Sequence, residues 1–177
     1  MTIEPPQGLK DNLKKSYEGI TDEEMDCESK PREFKKLLYG LCFFHAVIIE
    51  RKKFGPIGWN IAYEFTYEDL DVCKKQLKLF LEMYESIDYR VIKIICADIN
   101  YGGRVTDKID KRLINTLIEK YITHEMLSDD YWLDKEGKYK SPPDYSQVQY
   151  LEYINTLPHE TPTDVFGLHP NAAITNE

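Results

Sequence analysis

Several patterns that would carry chemistry are missing from these 177 residues. There is no Gly-x-x-x-x-Gly-Lys-[Ser/Thr] loop to converge backbone N–H groups on phosphates. Nor is there an apolar strand ending in acidic residues that could hold Mg²⁺, so the chain by itself is expected not to hydrolyse ATP. No Gly-x-Ser-x-Gly elbow occurs, which leaves nucleophilic catalysis without a frame. Cysteine is sparse: Cys27, Cys42, Cys73 and Cys96 include no Cys-x-x-Cys pair. Cys42 and His45 are three apart on one predicted helix, but structural zinc needs two close ligand pairs, and Cys73 and Cys96 stand alone. The expected state is buried free thiols, inert in a core and suited to a reducing compartment. Basic charge is also short, with 23 Lys and Arg against 31 Asp and Glu, a net charge of −8. That argues against a general nucleic-acid binder and against docking on an anionic membrane. The sequence shows no leader peptide and no long apolar span.

What is present suits a mainly α-helical protein. Hydrophobic residues make up 42% and charged ones 31% of the chain. Leu9, Leu13 and Tyr17 recur every four residues and mark a first helix. Ser29 is placed to cap a second, with Pro31 in its first turn and Phe34, Leu37, Leu38, Leu41, Phe44 and Ile48 along it, ending near Lys52. Gly55, Pro56 and Gly58 break that helix, and Trp59, Ile61, Tyr63 and Phe65 alternate and are expected to pack back onto it. Thr66 caps a third helix with the stripe Leu70, Cys73, Leu77, Phe80, Leu81 and Tyr84. Residues 88–98 predict a fourth helix with Val91, Ile92, Ile94 and Ile95 inside, the charges of Arg90, Lys93 and Asp98 deciding against a strand. Tyr101-Gly102-Gly103 ends it. Thr106 or Asp107 starts a fifth through Ile109, Leu113, Ile114, Leu117 and Tyr121. After residue 123 the texture changes: a hairpin about Asp134-Lys135-Glu136-Gly137, then a helix over 147–157 with Val148, Leu151 and Ile154 inward, then a Pro-rich tail.

The stretch Leu37 to Asn60, Leu-Leu-Tyr-Gly-Leu-Cys-Phe-Phe-His-Ala-Val-Ile-Ile-Glu-Arg-Lys-Lys-Phe-Gly-Pro-Ile-Gly-Trp-Asn, joins a helix apolar on nearly every side to a Gly/Pro/Trp corner. Such a helix must be enclosed by others. The stretch resembles the lid after the sixth AAA+ module of dynein heavy chains, most closely the axonemal type. Three more stretches match in the same order: Glu4 to Leu13, Asn100 to Asp107 (Asn-Tyr-Gly-Gly-Arg-Val-Thr-Asp) and Val165 to Ala172 (Val-Phe-Gly-Leu-His-Pro-Asn-Ala). The acidic, polar run Thr21 to Lys30 departs from the family pattern. The resemblance implies a helical AAA+ lid over residues 1–122 and the start of the dynein C-terminal region over 123–177. It also implies a piece of a much longer chain, cut just after a large AAA+ subdomain.

The role implied is that of a non-catalytic block in a minus-end-directed microtubule motor of cytoplasm, cilium or axoneme. It helps close the AAA+ ring and transmits ATP-driven change. ATP and Mg²⁺ belong to other modules, and no cofactor or metal is expected in this segment. The implied partners are neighbouring AAA+ modules and the C-terminal region of the same heavy chain, with light and intermediate chains in the complex. An acidic chain is expected not to grip the acidic tubulin surface. The structural and interface residues are Phe44, His45, Phe54, Gly55, Pro56, Gly58, Trp59, Gly102, Gly103 and Arg104. Trp59 either clamps the second and third helices or faces an adjacent module. His45 is expected to bond a nearby carbonyl. Arg104 sits where an AAA+ lid arginine can reach a neighbouring γ-phosphate, against the plainer reading of a local pairing. Asp129-Asp130, Asp69-Asp71 and Glu50-Arg51-Lys52-Lys53 read as surface, helix-start or helix-end charges. Two alternatives remain: a nucleotide-sensing lid acting through Arg104, and a free-standing ciliary protein-interaction module.

Overall fold

The apolar run is one helix, α2 (Pro31–Glu50), in a computed structural model that describes residues 8–169. Every residue from Lys36 to Ile48 is buried. A helix with no wet face needs neighbours on all sides. α1 (Gly8–Glu18) lays Leu9, Leu13 and Tyr17 against it, and α3 (Tyr67–Met83) lays Leu70, Cys73, Leu77 and Leu81 there. α4 (Tyr89–Lys93) widens into a π-helical stretch (Ile94–Tyr101) that packs on α3, and α5 (Lys108–Ile118) closes another side. The expected core residues Phe44, Leu41 and Leu77 are buried together.

Caps fix the helix starts. The Thr66 hydroxyl accepts from the Asp69 amide while the Asp69 carboxylate accepts from the Thr66 amide, a reciprocal capping box. Asp107 caps α5 through the amides of Ile109 and Asp110. Ser29 does not cap α2: the helix begins after Lys30, and the Ser29 hydroxyl donates to the Leu81 carbonyl at 3.0 Å. Lys30 Nζ donates to the same carbonyl and to that of Tyr84. The two residues thus satisfy carbonyls left open at the end of α3. The acidic run before them is anchored by buried Met25 and Cys27.

Residues after 123 share the core of α2. A 3₁₀ turn (His124–Leu127), α6 (Gln147–Asn155) and a second 3₁₀ turn (Thr163–Phe166) contribute Met126, Tyr150, Ile154, Val165 and Phe166 to it. The expected hairpin is reduced, among the described residues, to one antiparallel bridge between Trp132 and Lys140. The Asp134 carboxylate closes its turn by accepting from the Lys138 and Tyr139 amides.

Five residues expected inside are exposed: Ile61, Tyr84, Ile94, Ile109 and Val148. The inward face of α5 is Asp110, Ile114 and Ile118, spaced by four, so Ile109 turns outward. The inward pair of α6 is Tyr150 and Ile154, and Val148 lies off that face. Tyr84 follows the last residue of α3 and stacks on Phe80 at 5.7 Å. The wider π-helical pitch sends Cys96 and Ala97 inward instead of Ile94. Ile61 turns its amide, not its side chain, inward.

Candidate functional site

The corner after α2 is built around a buried arginine. The chain leaves the helix through a 3₁₀ stretch (Arg51–Ile57) that reverses at Gly55, where φ is +59°. Gly58 then passes so close to Arg51 that a Cβ there would lie 1.8 Å from the Arg51 carbonyl oxygen. This approach delivers Trp59 onto the helix it just left: its indole N–H donates to the Ile48 carbonyl at 3.0 Å. Trp59 is 3% exposed and packs back onto the end of α2, its ring edge-on to Tyr63 at 5.9 Å.

Arg51 is 3% exposed. Its Nε donates to the Gly58 carbonyl at 3.1 Å and its Nη1 to the Phe166 carbonyl, while the guanidinium lies 5.6 Å from the Trp59 ring. Burial pulls its pKa down to about 10, with Asp110 opposing. Glu50 beside it is also buried and accepts from the Gly8 amide at 3.0 Å and from Asn12 Nδ2 at 2.8 Å. Asn12 in turn accepts from the Tyr67 hydroxyl. The run Glu50-Arg51-Lys52-Lys53 is thus not a solvated helix end: its first two charges are interior hydrogen-bonding groups. An unpaired buried donor costs more than a made bond returns, so such groups fix geometry.

The corner is held from outside by Asp110. Its carboxylate accepts from the amides of Asn60 (3.0 Å) and Ile61 (3.2 Å) and from the Tyr63 hydroxyl (2.9 Å). The cap residue Asp107 also accepts from Asn60 Nδ2, and the Asp110 amide, then Asn60 and the Ile109 amide, hold its carboxyl below the usual range.

Arg104 ends a short 3₁₀ turn (Gly102–Arg104), and its Nε donates to Asp69 Oδ2 at 2.9 Å. That oxygen also accepts from the Thr66 amide, so Arg104 ties the α3 capping box to the turn that follows the π-helical stretch. The Arg104 side chain remains 46% exposed. Gly102 and Gly103 differ: a Cβ on Gly102 would meet the Ala97 carbonyl oxygen at 2.6 Å, whereas Gly103 has no atom within 4 Å of that position.

His45 is fully buried. Its Nδ1 bonds the Tyr101 hydroxyl at 2.8 Å, in place of the expected carbonyl, and burial holds its pKa down to about 3. Cys42 lies in the same core, its thiol pushed up to about 12 by burial. No group of three His, Cys, Asp or Glu side chains placed to share a metal ion occurs among the described residues. None of their helices is long and apolar enough to cross a membrane.

Two further interior charges escaped the sequence reading. Lys36 Nζ is fully buried and donates to Asp129 Oδ1 at 2.7 Å and to the Pro142 carbonyl at 2.6 Å. Asp129 is a surface acid, 55% exposed, whose pairing with Lys36 helps tie the 124–142 region to α2. Lys36 stands beside Lys35 between Phe34 and Leu37, but its i+3 and i+7 neighbours Tyr39 and Phe43 put it on an apolar face, a register position that could have flagged it. Asp110, four residues before Ile114 on the inward stripe, carries the same signal.

The expected interface residues form two groups. Phe54, Gly55, Pro56, Gly58 and Trp59 make the corner against Arg51 and Phe166, with the Phe54 and Phe166 rings 5.5 Å apart. Phe44 and His45 meet Tyr101, next to the Gly102-Gly103-Arg104 turn, with the Phe44 and Tyr101 rings 5.5 Å apart. The matched stretches are thus brought into contact, though the parts of the first and last that precede residue 8 or follow residue 169 lie outside the described residues.

Comparison with known proteins agrees with this geometry. The family model for the dynein heavy chain AAA lid domain matches residues 34–172. Dynein axonemal heavy chain 1 of Rattus norvegicus is 48% identical over 176 residues, covering 99% of this chain and 4% of that protein. Dynein axonemal heavy chain 2 of Homo sapiens is 43% identical over 178 residues, and heavy chain 12 of Mus musculus 40% over 182. Each covers this chain completely, while the chain spans 4% and 6% of those two relatives. With its buried helix, its arginine-centred corner and this match across most of its length, the chain belongs to the dynein heavy chain AAA lid domain family.

Proposed function

We propose that this segment is a non-catalytic structural block of an axonemal dynein motor. In this reading it helps close the AAA+ ring and passes ATP-driven rigid-body shifts toward minus-end-directed movement on microtubules. Its partners are the neighbouring modules and C-terminal region of the same heavy chain, and light and intermediate chains in the assembled complex. Nucleotide and microtubule contact fall to other modules, and the location is the axoneme. The observation that supports this most is the single dense core running from α1 through α2 to Phe166, tied by the buried charges Arg51, Lys36 and Asp110. Interiors packed this way move as blocks.

Arg104 separates this reading from that of a nucleotide-sensing lid. An arginine acting on a transferring phosphoryl group is worth roughly 10³-fold or more in turnover. In an intact motor carrying Arg104→Ala, the structural reading expects ATPase close to wild type and a small loss of stability. A collapse of turnover with an unchanged melting temperature would overturn it and favour sensing. Trp59→Ala is the complementary variant, expected to slow microtubule gliding more than it slows ATPase.

A further inference from the structure

We propose that a groove between α3 and the acidic run after α1 docks an acidic segment of a partner protein, which inserts one large apolar side chain into it. The hollow encloses about 340 Å³. Its floor is Ile20 after α1 with Phe34 and Leu38 of α2, apolar residues each at most 3% exposed. Phe34 and Leu38 are four residues apart and share one face of the helix. One wall is Gly19 and Glu24, and the buried Met25 holds that wall in place. The other wall is α3, where Lys74, Lys75 and Lys78 stand within about one turn. A preformed apolar hollow with a charged rim is the arrangement that receives a single anchor residue.

Charge selects the class of partner. Lys74 is already paired: its Nζ lies 2.9 Å from Asp71 Oδ1, and its side chain is 14% exposed. Lys75 and Lys78 take part in no ion pair among the described residues, and the facing wall offers Glu24 alone. The mouth therefore carries two uncommitted cations against one acid, in a chain whose net charge is −8. Such a local reversal of sign attracts an acidic segment and repels a basic one. Lys78 also borders a neighbouring hollow lined by Asp26, Glu28 and Glu82. That acidic end orients the partner: its carboxylates lie on the Lys75 side of the anchor, and its other flank is uncharged.

Fluorescence anisotropy of fluorescein-labelled peptides titrated with this chain tests the groove without any motor, so the result is independent of the proposed function. The probes are Glu-Asp-Glu-Phe-Ser-Gly and the same peptide reversed, with acids on one flank of the anchor. At least one should bind, and serine in place of its phenylalanine should weaken binding at least about tenfold, because ring burial is lost. Lys75→Glu combined with Lys78→Glu should also weaken it at least about tenfold. Lys108→Glu with Arg112→Glu makes the same change of net charge at exposed positions of α5 and should leave affinity within about twofold. No binding of either probe at about 1 mM protein, equal affinity for the serine peptide, or equal losses in the two charge variants would each overturn the proposal.

Discussion

Replacing Gly58 by alanine tests the corner most sharply. The added Cβ would sit 1.8 Å from the Arg51 carbonyl oxygen and 3.3 Å from Phe54 Cβ. Neither neighbour is a flexible side-chain end. The backbone must open by more than an ångström, and two bonds span the gap: Arg51 Nε to the Gly58 carbonyl and Trp59 Nε1 to the Ile48 carbonyl. Overpacking alone costs about 1–3 kcal/mol, and stretching a buried hydrogen bond adds about 1–3 kcal/mol. A loss of about 3–5 kcal/mol is therefore expected for Gly58→Ala. Gly103→Ala is the control. Its φ is not positive and its Cβ meets nothing within 4 Å, so it should be neutral or stabilise by about 0.4–1 kcal/mol through the unfolded chain. With an m-value of about 2 kcal/mol/M in urea, the first variant should lower the midpoint by about 1.5 M or more and the second should not lower it. Equal midpoints for the two variants would refute the close-approach argument.

Other expectations follow from the interior groups. Phe44→Ala should cost about 3–5 kcal/mol in chemical denaturation, because its ring is buried against Tyr101 and Tyr121. Arg104→Ala should cost under about 1 kcal/mol, since its ion pair with Asp69 is half in water. His45 titrates near 6.5 when unfolded and near 3 when folded, so the unfolded chain binds the extra proton between those values. Its contribution is then complete above pH 6.5 and is lost as pH falls toward about 3, at up to about 1.4 kcal/mol per pH unit. His45→Gln should flatten that slope relative to wild type in urea midpoints between pH 6.5 and 4.5, and an unchanged slope would count against it. Cys42, with its thiol pushed up to about 12, should resist alkylation at pH 8 in the folded chain and react fully in urea.

The helices were legible where local rules act alone. The run in α2, the Thr66 and Asp107 caps and the four-residue spacing of Leu9, Leu13 and Tyr17 all follow from neighbours within one or two turns. Exposed apolar residues were misread where a polar residue took the inward place, as Asp110 did from Ile109 and the Ile61 amide did from its own side chain. The site was legible as a list of residue types, Gly, Pro and Trp at a helix end, and not as a set of contacts. Trp59 finds its acceptor 11 residues back, still near in sequence.

Arg51 marks the limit of such reading for a physical reason. In a run of four charged residues at a helix end, the default is solvation, because burying a charge is costly unless it is hydrogen-bonded. What reverses the default is a pair of carbonyls, one supplied seven residues on by the Gly58 approach and the other 115 residues on by Phe166. Neither acceptor has a side-chain signature. The sequence does carry their consequence: a glycine at 58, which permits the approach, and a glycine at 167, whose φ of +71° turns the chain just after the Phe166 carbonyl. Two glycines far apart, each next to a large aromatic residue, are therefore traces of one buried cation. The same logic joins the corner to the 3₁₀ turn at Phe166. A substitution at either glycine should disturb the other's surroundings, and the pair Gly58→Ala with Gly167→Ala should cost less together than the sum of the single losses, because both act on the same Arg51 bonds.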